Sequence, residues 1–263
     1  MNDTLVKRII TLLDFTELGD DLAHLSMTDP LLSQRTLACC REALSEVGSV
    51  AAVCVYPQAV PIAKQALSSH GTRVATVLNF PKGDQPIDVV EKEIQQVIGL
   101  GADEVDIVMP YHLVHTEAAL KAYLTRCRAA AQGHCLKIIL ETGALTPEDI
   151  LRATHWVCEV GADFVKTSTG KYLDPVTHQK KGATLESVQG ILSVLKARQA
   201  EGQAISGIKL SGGVTSENVL GFLRAIEEVM GVDWVCKENV RIGASAALSP
   251  RALLQYRNVI HAD

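Results

Sequence analysis

No stretch of this sequence carries a block of lysines and arginines, no apolar run is long enough to span a bilayer, and no CxxC pair occurs. Each absence excludes a class. With no basic block and a formal net charge of −5, nucleic acid is not an expected partner. A small anion remains admissible, because a local site can be positive on an acidic protein. A membrane helix needs about 20 consecutive apolar residues, so no membrane partner is expected. The opening residues MNDTLVKRIITLLDF interrupt their apolar positions with Thr and Asp, and no small-residue cleavage site follows. They read as a helix and not as a signal peptide. The seven cysteines, Cys39, Cys40, Cys54, Cys127, Cys135, Cys158 and Cys236, are odd in number. They read as reduced, buried thiols of a cytoplasmic protein. His112 and His115 are the closest histidine pair, but no cysteine or carboxylate cluster accompanies them at ligand spacing. No metal and no cofactor are expected.

Linkers and low-complexity segments are missing too. Short β-rich runs alternate with helical ones along the 263 residues. The strand candidates are 12–15, 49–56, 73–80, 104–110, 136–142, 163–168, 206–212 and 239–244, the first carrying the weakest signal. Several are almost continuously apolar, as parallel strands covered by helices are. Between them, Val90, Ile94, Val97 and Ile98 recur at helical spacing, as do Val219, Leu223, Ile226 and Met230. Thr146-Pro147-Glu148-Asp149 and Thr215-Ser216-Glu217 both read as helix starts. Strict alternation leaves a closed barrel or a doubly wound open sheet. No Gly-rich dinucleotide fingerprint follows the early strands, and eight units fill the length. The expectation is α/β: a single (β/α)₈ TIM barrel over 1–263, with an extra N-terminal helix.

Four ionisable residues interrupt the apolar strands: Asp106, Lys137, Lys166 and Lys209. A buried ion-pair network that only holds the barrel is the bland explanation. Three lysines against one acid make a poor structural pairing, because the excess positive charge must be relieved. A lysine that loses its proton relieves it and becomes a nucleophilic amine. Gly101-Ala102-Asp103-Glu104-Val105-Asp106 repeats in form as Gly161-Ala162-Asp163-Phe164-Val165-Lys166, two β/α units later. Alternate strands of a barrel feed the same interior layer, so Asp106 and Lys166 are expected at similar height. Lys166 runs into a polar, Gly-containing loop and is the candidate nucleophile. Lys209, one strand on, is placed to lower its pKa, and Asp106 to shuttle protons. Gly212-Gly213 and Gly243-Ala244-Ser245 close the last two strands, where barrels place phosphate sites on backbone N–H groups, and Gly170-Lys171 adds a third side. Thr169 belongs to the same loop.

At these residues the chain resembles the deoxyribose-phosphate aldolases, class I aldolases that work through a Schiff base. The matching pieces run nearly end to end: Leu13-Asp14-Phe15-Thr16, Ala51 to Pro57, Asn79-Phe80-Pro81, Gly101 to Asp106, Lys137 to Gly143, Phe164 to Gly170, Gly212-Gly213-Val214 and Arg241 to Ser245. The resemblance implies reversible cleavage of 2-deoxy-D-ribose 5-phosphate to acetaldehyde and D-glyceraldehyde 3-phosphate. It implies Lys166 as Schiff-base lysine, Lys209 as its perturbing neighbour, and Asp106 as the acid of the proton relay. It also places Asp14, Thr16, Cys54 and Lys137 at the pocket wall. The chain departs from the familiar pattern at Thr215, where a basic residue commonly follows the glycines, and at Ala246, where a second serine is common. Both changes weaken the expected phosphate contacts, which leaves a same-mechanism aldolase for a different or non-phosphorylated aldehyde as the alternative. The segment 172–182 is longer than usual, and Lys180 and Lys181 within it are candidates to replace the lost charge. The chain ends His261-Ala262-Asp263, without the terminal tyrosine of some relatives, and Tyr256 falls in a predicted helix. Apolar residues on the outer helices are compatible with a homodimer.

Overall fold

The computed structural model describes residues 3–45 and 48–260. Eight parallel strands form its centre: β1 (Leu13–Glu17), β2 (Ala52–Val55), β3 (Arg73–Leu78), β4 (Glu104–Val108), β5 (Cys135–Ile139), β6 (Phe164–Lys166), β7 (Gly207–Leu210) and β8 (Val240–Ala244). Each pairs with the next, and β1 closes the barrel on β8 through the register Leu13↔Ile242. The helix α1 (Asp3–Leu12) precedes the barrel. Each strand is then followed by a helix: α2 (Pro30–Ala43), α3 (Val60–Leu67), α4 (Ile87–Gly99), α5 (Glu117–Ala130), α6 (Pro147–Glu159), α7 (Leu185–Ala200), α8 (Val219–Met230) and α9 (Pro250–Ile260). This is the expected (β/α)₈ barrel with its extra N-terminal helix.

The strands are apolar on both faces because both faces are buried. Asp106 points into the barrel, so its neighbours Val105 and Ile107 point out, and both are fully buried beneath the helices. The helices supply matching stripes: Val90, Ile94 and Val97 are buried on α4, and Val219, Leu223, Ile226 and Met230 on α8. At about 1.5–3 kcal/mol per buried aliphatic side chain, this double layer is the main stabilising term.

The start of α6 follows the sequence reading closely. Thr146 Oγ1 accepts from the Asp149 amide at 3.2 Å, and Pro147 opens the first turn. The start of α8 differs. It begins at Val219, not at Thr215. The Asn218 side chain accepts from the Thr215 amide at 2.9 Å and donates to Gly213 O at 2.8 Å, so residues 215–218 form a turn tied back to the glycines. Strands β5 and β6 end sooner than predicted, at Ile139 and Lys166. Glu141 takes a left-handed backbone (φ 60°) and opens a short 3₁₀ turn, Thr142–Ala144, where the strand pattern had been read through to 142. Residues 261–263, which include the chain end considered above, lie outside the described residues, and Tyr256 falls in α9.

Candidate active site

Every charged residue predicted inside the strands is found there, and three more join them. β1, β5 and β7 contribute Asp14, Lys137 and Lys209, whereas β4, β6 and β8 contribute Glu104, Asp106, Lys166 and Arg241. Lys137 Nζ lies 2.9 Å from Asp106 Oδ1 and 3.2 Å from Asp14 Oδ2, and it also bonds Glu104. Lys209 Nζ bonds Asp14 Oδ2 at 2.5 Å and Asp106 Oδ2 at 2.7 Å. Arg241 bonds Asp14 at 2.7 Å and Glu104 at 3.0 Å. Lys166 Nζ reaches Asp106 Oδ2 at 2.8 Å.

The count of three lysines against one acid is therefore corrected. Among the buried groups four cations face three carboxylates, while the exposed Arg73 also reaches Glu104 at 3.4 Å, and the buried set balances when one cation is neutral. Position decides which one. Glu104 and Arg241 stand at the beginnings of their strands, whereas Lys166 is the last residue of β6, at the C-terminal end where barrel chemistry takes place. Lys166 is 4% exposed, whereas Lys137 and Lys209 are at 0%. Lys166 thus faces the mouth and has one carboxylate partner. Burial lowers its pKa, Asp106 opposes this, and Lys209 lowers it further. For Lys137 burial lowers the pKa too, but Asp106, Asp14 and Glu104 overcome it, so this amine is held well above the ordinary lysine value. Lys209 is likewise raised by Asp106 and Asp14 against its burial. Burial pushes the carboxyl of Asp106 up, but Lys137, Lys166 and Lys209 outweigh it and keep it well below the carboxylate range. The arrangement holds one depressed amine beside one firmly ionised carboxylate.

The loop after β6 lies over this end. Thr169 donates its hydroxyl to Glu141, and its amide points at the same carboxylate at 3.3 Å. Lys171 donates its amide to Thr169 Oγ1 at 3.0 Å, and its ammonium reaches the β1 loop, 2.7 Å from Leu18 O and 2.6 Å from Asp20 Oδ1. Its side chain therefore bridges from β6 to β1 across the mouth. The segment 172–182 folds into a small hairpin in which Leu173 pairs with Lys180. The hairpin returns at Gly182, where a Cβ would sit 2.3 Å from Gly212 O. Gly212 itself (φ 83°) lies against Gly182 and Gly170, so backbone packs on backbone at this point and a side chain is excluded. Lys181 pairs with Asp174 at 3.8 Å within the hairpin. Tyr172 stands edge-on to Tyr111, their ring centroids 6.5 Å apart.

Of the residues singled out from the sequence, Asp14, Asp106, Lys137, Lys166 and Lys209 form the single ion network just described. Cys54 is fully buried beside it, its thiol raised by burial. Thr16 stands above Asp14 on β1 and donates to Asp14 O at 2.9 Å. Gly170 and Gly212 come together in the loop contact, with Gly213 next in the turn, while Thr169 is bonded to Glu141. Gly243 lies against Ser211, whose Oγ would be 2.8 Å from a Cβ there. Ser245 is exposed beyond the end of β8. Lys171 is bonded to Leu18 O and Asp20.

Sequence reading missed Glu104, Arg241 and Glu141. Alternation gave a signal for the first: Glu104 stands two residues before Asp106 on β4 and must share its inner face. Arg241 stands two before Gly243 in the same manner. Glu141 had no local signal, since its position depends on the left-handed turn. Cavity size is no guide here. A space of about 1030 Å³ opens at the opposite end of the barrel among strand starts such as Arg73, Phe164 and Gly207, remote from Lys166. A smaller one of about 400 Å³, lined by Tyr56, Asn79, Phe80 and Lys171, opens at the C-terminal ends of the strands.

Comparison with known proteins agrees with this architecture. A structure assigned as a deoxyribose-phosphate aldolase from Coccidioides immitis superposes with a TM-score of 0.74 at 28% identity, over 96% of this chain and 87% of that one. The tetrameric deoxyribose phosphate aldolase from Aeropyrum pernix superposes at 0.71 with 23% identity, over 97% and 93%. An aldolase designated QR15 gives 0.73 at 27% identity, over 96% and 98%. The sequence model of the DeoC/LacD family aldolases matches residues 10–247. The chain belongs to the DeoC/LacD family of aldolases.

Proposed function

We propose that this aldolase is a class I enzyme that forms a Schiff base on Lys166 and reversibly cleaves 2-deoxy-D-ribose 5-phosphate to acetaldehyde and D-glyceraldehyde 3-phosphate. One observation carries the reading: a lysine with a depressed pKa stands at the mouth of the barrel, 2.8 Å from an ionised aspartate. The neutral amine of Lys166 attacks C1 of the open-chain sugar, and the carbinolamine loses water to give an iminium ion. Asp106, directly or through a water, takes the proton of the C3 hydroxyl as the C2–C3 bond breaks. The electron pair of that bond flows into the iminium and leaves an enamine, and glyceraldehyde 3-phosphate departs. Protonation of the enamine at C2 and hydrolysis of the imine release acetaldehyde and restore the amine. Lys209 and Lys137 keep Asp106 ionised, so it is a base when the C3 proton must leave.

The turns Gly212-Gly213 and Gly243-Ala244-Ser245 offer backbone N–H groups to the phosphate. A second reading has support at the same place. Thr215 and Ala246 bring no charge to these turns, Lys171 is bonded to Asp20, and Lys181 to Asp174. An enzyme of the same mechanism for a non-phosphorylated aldehyde adduct accounts for this. Cleavage of deoxyribose with and without its 5-phosphate separates the two. The first reading predicts a kcat/KM at least about tenfold higher for the phosphorylated sugar, and equal efficiencies favour the second.

A further inference from the structure

Glu141 is a buried carboxylate, 1% exposed, that takes part in none of the ion pairs found among the described residues. A charge in that position is costly unless its hydrogen bonds are made. Its carboxylate accepts hydrogen bonds from one residue, Thr169, through the hydroxyl and the amide. Its backbone is left-handed (φ 60°, ψ 62°), a conformation an L side chain adopts at a cost and keeps only where its surroundings hold it. Two further bonds bind the same turn to the β6 loop: the Thr142 amide donates to Thr167 O at 2.9 Å, and Thr142 Oγ1 and Ser168 Oγ are 2.9 Å apart. The turn after β5 is thereby fastened along residues 167–169, immediately after Lys166. Thr169 in turn accepts from the Lys171 amide. The line of contact runs Glu141, Thr169, Lys171, Asp20, from β5 across the mouth to the β1 loop.

We propose that Glu141 is a positioning residue that acts through Thr169, setting the Thr169–Lys171 loop at the height at which it meets substrate bound to Lys166. The proposal rests on Lys166 as the nucleophile. The strained backbone and the single hydrogen-bond partner have one common effect, which is to fix where the Thr169 hydroxyl and the following amides stand. Misplacing groups that hold the substrate loses binding shared by the ground and transition states, which falls mainly on KM.

The test is a double-mutant cycle in steady-state cleavage of whichever of deoxyribose 5-phosphate and deoxyribose the enzyme turns over faster. Glu141→Ala and Thr169→Val are each expected to lower kcat/KM about tenfold to a hundredfold, mostly through KM. The double variant is expected to lose no more than the worse single one. Glu141→Gln keeps an acceptor oxygen and is expected to recover most of the loss. Multiplicative losses in the double variant, wild-type kinetics in a folded Glu141→Ala, or no recovery in Glu141→Gln overturn the proposal. Should Glu141→Ala fail to fold, Thr169→Ser against Thr169→Val carries the same contrast: activity returns with the hydroxyl, and equal loss in both overturns it. Trapping with cyanoborohydride and saturating acetaldehyde is expected to label Lys166 in every variant, because acetaldehyde is too short to need the loop. A wild-type protein that is not labelled refutes Lys166 as nucleophile, while non-additivity is still read from kcat/KM.

Discussion

Lys166 Nζ and Asp106 Oδ2 meet at 2.8 Å although the residues stand 60 positions apart in the chain. They come from β6 and β4, strands separated by β5, whose Lys137 touches the same aspartate from below. Asp106 is thus shared among three ammonium groups, and Lys166 receives only part of its field. A lysine paired with an undivided carboxylate would be held charged. Lys166, buried, facing a divided carboxylate and a second ammonium, is pushed toward the neutral amine.

Removing Lys209 tests this division. Burial contributes most to the depressed pKa of Lys166, and Lys209 adds to it. Lys209 also occupies Asp106 Oδ2, the oxygen that Lys166 uses. Lys209→Met should therefore raise the Lys166 pKa twice over, by removing a like charge and by returning the carboxylate to Lys166. The acid limb of the kcat/KM profile is expected to move up by about one pH unit or more. An unmoved limb would show that Lys209 does not act on Lys166.

Arg241 lies at the other end of the network and should behave otherwise. It neutralises Asp14 and Glu104 among strand starts, away from the mouth. Removing one partner of a buried ion pair costs about 3–5 kcal/mol, because the other is left uncompensated. Arg241→Met is expected to lower the midpoint of urea unfolding sharply while the folded fraction keeps its pH profile. A shift of the acid limb as large as that of Lys209→Met would contradict a structural role.

Lys166 itself has a stability signature. Its folded-state pKa lies below the ordinary lysine value of 10.5. Between the two values the unfolded chain binds the extra proton, so stability rises with pH across that window. Below the window the mismatch is a constant cost. Lys166→Leu removes this cost, and so should melt at or above the wild-type temperature at pH 7, the difference shrinking as pH approaches 10.5. Turnover should fall about a thousandfold or more. A lower Tm at pH 7 would mean that the lysine is held charged by Asp106 and stabilises the fold.

The barrel was legible in the sequence because its strands are buried on both faces, which leaves eight apolar runs separated by helical spacing. The buried charges Asp106, Lys166 and Lys209 were legible because charge inside such runs is rare. Glu104 and Arg241 were obscured by standing at strand beginnings, where polar residues are common, although alternation put Glu104 on the face of Asp106. Their omission exaggerated the excess of positive charge in the strands. Glu141 was hidden for another reason. Its role depends on a left-handed backbone and on Thr169 arriving from the next β/α unit, and neither leaves a periodic trace. The start of α8 was misread because Thr215 resembles a cap, whereas the Asn218 side chain turns back to Gly213 and delays the helix.

The most direct measurement is covalent. The protein is incubated with acetaldehyde, reduced with cyanoborohydride near neutral pH, digested and analysed by peptide mass. An ethyl group is expected on one peptide at Lys166, with labelling lost in Lys166→Leu and retained in Lys137→Met wherever that variant folds. Labelling at another lysine, or none at all, would contradict Lys166 as the Schiff-base nucleophile.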